Sequence, residues 1–238
     1  MSSVLKLGDL EAELIKKDIK NIHLSVYPPS GRVRISAPLR MKKETIRSFA
    51  LSKIPWIKRE RKKLLEQERE TRRDYIERES HYVWGQRCLL KVLEKECPPT
   101  VDLKHKTITL QVRPNSNRGK RAEIVGAWYR NLVKNALPKI IDQWEPVLGV
   151  VVNKTFVCRM KTKWGSCNSK AGNIRINSEL AKKPKECLEY IVVHEMVHLL
   201  EPTHNERFIQ LMDRFLPQWK ERRQTLNRLP VSHEDWSY

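Results

Sequence analysis

The 238-residue chain lacks the features that mark disulfide-rich secreted proteins and membrane proteins. Its five cysteines are odd in number and include no CxxC pair, which argues against a disulfide framework and against a cysteine-based zinc site. No apolar run approaches the length of a membrane span, and residues 1–20 alternate charged and apolar side chains, unlike a signal peptide. We therefore expect a soluble protein of a reducing cytoplasm that makes no membrane contact.

Acidic residues are scarce relative to basic ones. The chain has 28 Asp and Glu against 47 Lys and Arg, for a formal net charge of +19. Such a charge can mark binding to nucleic acid or another polyanion. Between residues 40 and 78, however, glutamates are interleaved with the basic residues, which is equally typical of an exposed, ion-paired helix. The charge alone leaves both interpretations open.

The most informative motif is HEMVH at residues 194–198. On a helix, His194 and His198 lie on the same face and can bind one metal ion, while Glu195 can act on a water at that ion. The apolar stretches on both sides of the motif predict a buried helix. A buried Glu195 carboxylate needs a cation or a polar partner, which a metal supplies. The motif therefore predicts a Zn²⁺ site with Glu195 as the catalytic residue.

The third zinc ligand is expected a few residues further on. Pro202 ends the helix, so the chain can turn back toward the metal. The gap from His198 to His204 equals that of HExxHxxGxxH proteases, although Glu201 stands at the position of the motif's glycine. We favour His204, because histidine is a common zinc ligand, and keep Glu201 and Glu206 as alternatives. Three ligands with an open fourth position are typical of catalytic zinc.

Apolar periodicity predicts an α+β chain in two parts: a β-rich region at 1–118 with a long charged helix, and a metal-binding catalytic region at 119–238. No internal repeat is visible. The predicted strands lie within 19–26 and 33–38 (a hairpin), 82–93, 101–112, 154–160 and 173–177. The predicted helices are 42–52, 55–76, 122–136, 138–148, a helix that begins at 184 and carries the HEMVH motif, 206–215 and 217–229. Residues 163–168 are predicted to form a loop.

A WGSC block at residues 164–167 has two interpretations. Trp164 and Gly165 can cap the core and permit a tight turn. Alternatively, the block can shape the substrate cleft or support a ligand histidine. Cys167 has no partner motif that would indicate a nucleophile or a metal ligand.

Several segments together carry a family resemblance: RMKTKWGSC at 159–167, IRIN at 174–177, YIVVHEMVH at 190–198, His204-Asn205, and N-terminal pieces at 21–26, 33–38, 56–57 and 84–85. The chain resembles the YgjP-like metallopeptidase family, a neighbour of the SprT-like and WLM peptidases, over nearly its whole length. The resemblance implies a zincin-like minimal metallopeptidase core, in which a small sheet packs on the HExxH helix. It also implies zinc ligation by His194, His198 and His204, with Glu195 as general base.

Substrate contacts are predicted around the zinc site. In zincins an edge strand beside the active-site helix pairs with an extended substrate, and the segment from Gly172 to Asn177, with Ile174 at its centre, is our candidate. Stabilising the oxyanion requires a further donor. Arg159, Lys163 and Asn177 are the candidates.

These observations favour a cytoplasmic zinc endopeptidase that acts on a protein or peptide substrate. Three alternatives stay open. The positive charge is compatible with a metal-dependent nucleoside triphosphate pyrophosphohydrolase. The SprT-like resemblance suggests a protease acting on DNA-associated proteins. A basic nucleic-acid-binding module with a structural metal would not be an enzyme.

Overall fold

The computed structural model describes residues 2–27, 30–66 and 70–230, and the chain forms two compact units, Met1–Glu68 and Arg69–Tyr238. None of the helices in these described ranges is long and apolar enough to cross a membrane. The predicted boundary at residues 118 and 119 lies within the second unit. The strands before it and the helix after it bury their apolar side chains in one common core.

The first unit is a four-stranded sheet with two helices. Its elements are β1 (Ser2–Leu7), β2 (Leu10–Lys17), β3 (His23–Tyr27), β4 (Arg32–Pro38), α1 (Lys43–Ser52) and α2 (Ile54–Glu66). The strand order is β1-β2-β4-β3, with β2 and β4 parallel and the outer pairs antiparallel. The predicted hairpin is confirmed, since Leu24 faces Ile35 and Val26 faces Val33, although part of its predicted turn, residues 28 and 29, lies outside the described residues.

The second unit begins with a sheet of the same topology. Its strands are β5 (Ser80–Val83), β6 (Gln86–Glu94), β7 (Thr100–Lys104) and β8 (Thr107–Val112), in the order β5-β6-β8-β7. Again the middle pair is parallel and the outer pairs are antiparallel. The sequence shows no internal repeat, but the strand order of the first sheet is repeated in the second. Such a topology requires an apolar–polar alternation in the strands and turns of suitable length. Many different sequences meet these requirements, so two sheets can share a topology without sharing a sequence.

The long charged helix predicted at 55–76 is too long. Helix α2 is described as far as Glu66, and the described residues 70–76 are not helical. Their backbone groups form hydrogen bonds with side chains instead. Arg118 donates to the carbonyl of Arg73 at 2.8 Å, and the Glu79 carboxylate accepts from the amides of Asp74 and Tyr75 at 2.8 and 2.9 Å.

Helix α3 (Arg118–Leu148) is continuous, whereas a break before Pro138 was predicted. A proline removes one hydrogen bond from a helix interior, but packing can hold the helix together. Leu137 and Ile141, on either side of Pro138, are both buried in the core. The helix begins at Asn117, whose side chain accepts from the Lys120 amide at 2.9 Å, and it ends at Gly149, which has a φ of 66°.

A three-stranded sheet and three helices complete the second unit. They are β9 (Lys154–Cys158), β10 (Gly165–Asn168), β11 (Asn173–Asn177), a 3-10 turn (Ser178–Lys182), α4 (Lys185–Val197), α5 (Glu206–Phe215) and α6 (Trp219–Arg228). The strand order is β10-β11-β9. The predictions for β11 and α5 are confirmed. The loop predicted at 163–168 is wrong in part, because Gly165–Asn168 pair with β11 as a strand.

The turn between β5 and β6 positions the start of α4. Trp84 and Gly85 have φ values of 50° and 80°, and their amides donate to the carbonyls of Ala181 and Lys182 at 2.7 and 3.2 Å. A Cβ on Gly85 would lie 2.9 Å from Cγ of Pro184, the residue at which α4 begins. Glycine therefore allows this turn to pack directly against the start of the helix that carries the HEMVH motif.

Candidate active site

Three histidine side chains meet at the end of α4. The Nε2 atom of His204 lies 2.9 Å from that of His194 and 3.1 Å from that of His198. The ring of Phe208, on the first turn of α5, contacts all three imidazoles, with centroid distances between 4.6 and 4.9 Å. The structure thus brings together the three histidines that the sequence singled out.

The turn after α4 returns the chain toward the first two histidines. Nδ1 of His198 lies 3.0 Å from the carbonyl oxygen of Glu201 and can donate to it, which leaves Nε2 free to face the other rings. The Glu201 carboxylate accepts from the amide and the hydroxyl of Thr203, at 3.2 and 3.0 Å. Glu201, an alternative third ligand in the sequence, here holds the turn together. Glu206 lies in the first turn of α5 and is not part of the histidine group.

The histidine group fits a divalent metal ion. Ligand nitrogens of tetrahedral zinc lie about 3.3 Å apart, and the Nε2 distances are close to this value. Burial is the main cause that lowers the pKa of His194 to about 3, and the charges of the neighbouring histidines contribute less. His194 is therefore neutral at physiological pH, which is the form of imidazole that binds metals.

Glu195 is buried beside the histidines, with an exposed fraction of 5%. Burial raises the pKa of its carboxyl group to about 7, against the opposing effect of Lys163. A carboxyl group with a pKa near neutrality can both accept and return a proton, as a general base must.

Gly165 of the WGSC block lies directly against Glu195. A Cβ on this glycine would be 2.5 Å from Oε1 and 2.8 Å from Cγ of Glu195, closer than real Cβ contacts. The absence of a side chain at Gly165 therefore makes room for the carboxylate. Burial, with Glu195 as the second cause, raises the pKa of the nearby Cys167 thiol to about 11, so Cys167 stays protonated and is a poor nucleophile.

A cavity of about 880 Å³ contains the histidine group and Glu195. The loop before β10, β10 itself, α4, α5 and α6 all contribute to its wall. Lys163 and Arg223 provide basic side chains, and Tyr190, one turn before His194, provides a phenol ring. Glu195 is the one acidic residue among the described residues that line this cavity.

The predicted substrate-pairing strand is wrong, because β11 is the central strand of its sheet and is paired on both sides. Gly172 instead forms the turn before β11, with a φ of 64°, and its carbonyl accepts from the Asn153 amide at 2.7 Å. Ile174 is fully buried. Of the two edge strands of this sheet, β10 is the one that lies next to α4.

Of the three predicted oxyanion donors, Lys163 lines the cavity and the other two do not. Nε of Arg159 lies 3.8 Å from the carboxylate of Glu179. The Asn177 amide group is committed to backbone atoms: Nδ2 donates to the carbonyls of Met160 and Lys163, both at 2.8 Å. Its Oδ1 accepts from the amides of Met160 and Glu179, at 3.3 and 3.1 Å. Asn177 therefore holds the loop before β10 in place.

This role of Asn177 predicts a loss of stability on substitution. We expect Asn177→Leu to lower the free energy of unfolding by about 2–3 kcal/mol, because it leaves partly buried backbone groups without partners. In a unit of this size the melting temperature should fall by about 5–10 °C, measured by differential scanning calorimetry. Asn173→Leu, in the same strand, is the matched control and should change it less. Equal melting temperatures for wild type and Asn177→Leu would contradict this interpretation.

Several residues that line the cavity, Tyr190 and Arg223 among them, were missed in the sequence. Tyr190 could have been found, because it precedes His194 by one helical turn. Arg223 lies outside any local motif, and only the docking of α6 against α4 brings it to the cavity. The weak signal for it was its spacing of one helical turn from Trp219, which lines the same cavity.

Comparison with known proteins agrees with the geometry of the site. Residues 20–229 match the family model described as YgjP-like, metallopeptidase domain. No curated protein matches the chain. Among solved structures, the chain is similar to the metallopeptidase zymogen abylysin of Pyrococcus abyssi, at 19% identity, covering 40% of this chain and 98% of that chain, with a TM-score of 0.35. Since the family match spans most of its length, the chain belongs to the YgjP-like metallopeptidase family and is a metal-dependent hydrolase.

Proposed function

We propose that the protein is a zinc endopeptidase in which His194, His198 and His204 bind the metal and Glu195 is the general base. The observation that carries this proposal is the convergence of three Nε2 atoms in the cavity that also contains the Glu195 carboxylate. The chemistry that zinc supplies in such a site is Lewis-acid activation of water and of the scissile carbonyl.

The protein's own contribution to the chemistry is proton transfer by Glu195. Its carboxylate takes a proton from the attacking water and passes it to the leaving amine. Burial of Glu195 favours this role, because the raised pKa makes the carboxylate a stronger base than an exposed one. Lys163, the sequence-predicted oxyanion donor that lines the cavity, is a candidate to stabilise negative charge developing on the substrate.

The open edge of β10 is the proposed binding site for the peptide backbone. The Asn177 amide donates to the Trp164 carbonyl at 2.9 Å, so these two residues form a hydrogen-bonded pair of the antiparallel ladder. Because such pairs alternate, Gly165 and Cys167 direct their backbone groups away from β11. An extended peptide can add to this edge as a further strand, next to Glu195.

Metal content tests the ligand assignment. We expect one zinc ion per chain in the wild type and less than a tenth of that in His198→Ala, because two histidines bind zinc far more weakly than three. Inductively coupled plasma mass spectrometry measures it. His23→Ala, at an exposed histidine of β3, is the matched control and should keep its zinc. Wild-type protein that binds no zinc when zinc is supplied would refute the proposal.

A nucleoside triphosphate pyrophosphohydrolase is the second candidate function. The observation that favours it is the presence of two basic side chains, Lys163 and Arg223, in a cavity whose described lining has one acidic residue. Basic groups of this kind can bind phosphates. Release of pyrophosphate from nucleoside triphosphates, with casein and peptides left intact, would favour this candidate over the peptidase.

We also propose a cytoplasmic location. All five cysteines are free thiols in the structure, which suits a reducing compartment. Contact with nucleic acid through the basic surface, and with it a role as a DNA-associated protease, stays a prediction from the net charge. DNA-stimulated proteolysis that is suppressed by salt would support it.

A further inference from the structure

Arg223 lines the cavity of the histidine group but has no part in the peptide hydrolysis described above. It projects from α6 into the same cavity as Glu195. The same cavity holds the three histidines, so a molecule bound beside them can also reach the Arg223 guanidinium.

Among the described residues Arg223 has no acidic partner, unlike Lys220 and Arg222 on the same helix. Arg222 is paired with Glu189 at 2.5 Å, and Lys220 with Asp213 at 3.0 Å. Within the described ranges, no carboxylate lies within 4.0 Å of the Arg223 guanidinium. Its capacity to donate several hydrogen bonds in one plane is therefore available to a molecule in the cavity.

The aromatic ring of Trp219 supports the guanidinium from one side. The Cζ atom of Arg223 lies 6.0 Å from the ring centroid of Trp219, one helical turn earlier. Trp219 is itself held in place, since it is 7% exposed and its indole N–H donates to Asp213 at 2.7 Å. An arginine next to a fixed aromatic ring loses less side-chain freedom when it binds a planar anion.

We propose that Arg223 is a specificity-determining residue that binds a carboxylate of the peptide substrate. Arginine pairs with a carboxylate through two parallel hydrogen bonds, which gives both affinity and orientation. The carboxylate can belong to an acidic side chain or to the C-terminus of the peptide, because the chemistry is the same. This inference rests on the proposed peptidase function, and it makes the protein a peptidase selective for acidic peptides or for cleavage near a chain end.

Cleavage of matched peptides tests the proposal. The peptides differ only in carrying Glu, Gln or Lys at successive positions, each with a free or an amidated C-terminus. We expect kcat/KM of the wild type to be at least about tenfold higher for peptides with the recognised carboxylate, mainly through KM. Arg223→Ala should remove this preference, and Arg223→Glu should favour the Lys peptides. Arg228→Ala, on the same helix but outside the cavity, should keep it.

The same set of peptides distinguishes the two possible sources of the carboxylate, an acidic side chain and the C-terminus. A difference between Glu and Gln peptides indicates side-chain recognition, and a difference between free and amidated peptides indicates recognition of the terminus. Equal kcat/KM in both comparisons would overturn the proposal, as would a preference that Arg223→Ala leaves unchanged.

Binding separates the failure of this inference from the failure of the proposed function. Fluorescence anisotropy of labelled peptides with the zinc-loaded Glu195→Gln protein needs no turnover. If no peptide is cleaved by the wild type but carboxylate peptides bind in an Arg223-dependent way, the peptidase proposal fails and carboxylate recognition stands. If peptides are cleaved but bind without any dependence on Arg223, the peptidase proposal stands and this inference fails.

Discussion

Glu195→Gln should lower kcat for peptide hydrolysis by about 10²–10⁴-fold while the protein keeps its fold and its metal. Glutamine has nearly the shape of glutamate but cannot accept the proton of the attacking water. Because the three histidines are the proposed zinc ligands and Glu195 is not one, the zinc content should match that of the wild type. Steady-state kinetics on casein-derived peptides and metal analysis of the same preparation measure both effects.

Glu206→Gln is the control for this substitution. Glu206 lies in the exposed first turn of α5 and was an alternative ligand in the sequence. We expect its activity and zinc content to stay within about twofold of the wild type, since surface substitutions of this kind change little. If Glu195→Gln hydrolyses peptides at the wild-type rate, another residue must be the base. If it loses nucleoside triphosphate hydrolysis instead, the second candidate function is correct.

Gly165→Ala should lower activity by about 10²-fold, together with a smaller loss of stability. The added methyl group would lie 2.5 Å from Oε1 of Glu195, so the carboxylate must move. The methyl group would also lie 2.8 Å from Cγ, so the whole buried Glu195 side chain must shift, which also lowers the stability. Displacement of the carboxylate by about 1 Å at the reaction centre is expected to slow the reaction strongly. Kinetics and thermal unfolding of the same variant separate the two effects.

Two comparisons make the Gly165 prediction specific. Gly126→Ala, in α3, adds the same methyl group where no atom lies within 4 Å, and should keep wild-type activity. In the Glu195→Gln background, Gly165→Ala should cause almost no further loss, because both substitutions act through one carboxylate. A loss in the double variant equal to the product of the two single losses would show that Gly165 acts on something else.

The local arrangement of the histidine group was largely predictable from the sequence. The spacing of His194 and His198 places both on one face of any helix, and Pro202 lets the chain turn back. The alternation in β3 and β4 predicted their hairpin, because a period of two is a property of each strand alone. These features depend on a few neighbouring residues, so the sequence by itself determined them.

Tertiary structure decided which elements meet and which edges stay open. The position of β11 between two other strands, and the open edge of β10 next to α4, follow from pairing between distant segments. The same holds for the continuity of α3 through Pro138, for the short contact of Gly165 with Glu195 and for the arrival of Arg223 from α6. Local propensities describe a residue and its neighbours along the chain, whereas these features depend on burial and hydrogen bonding between segments far apart in sequence. The sequence by itself therefore determined the histidine motif and its geometry, and only the tertiary structure decided the shape, the open edge and the charge of the cavity around it.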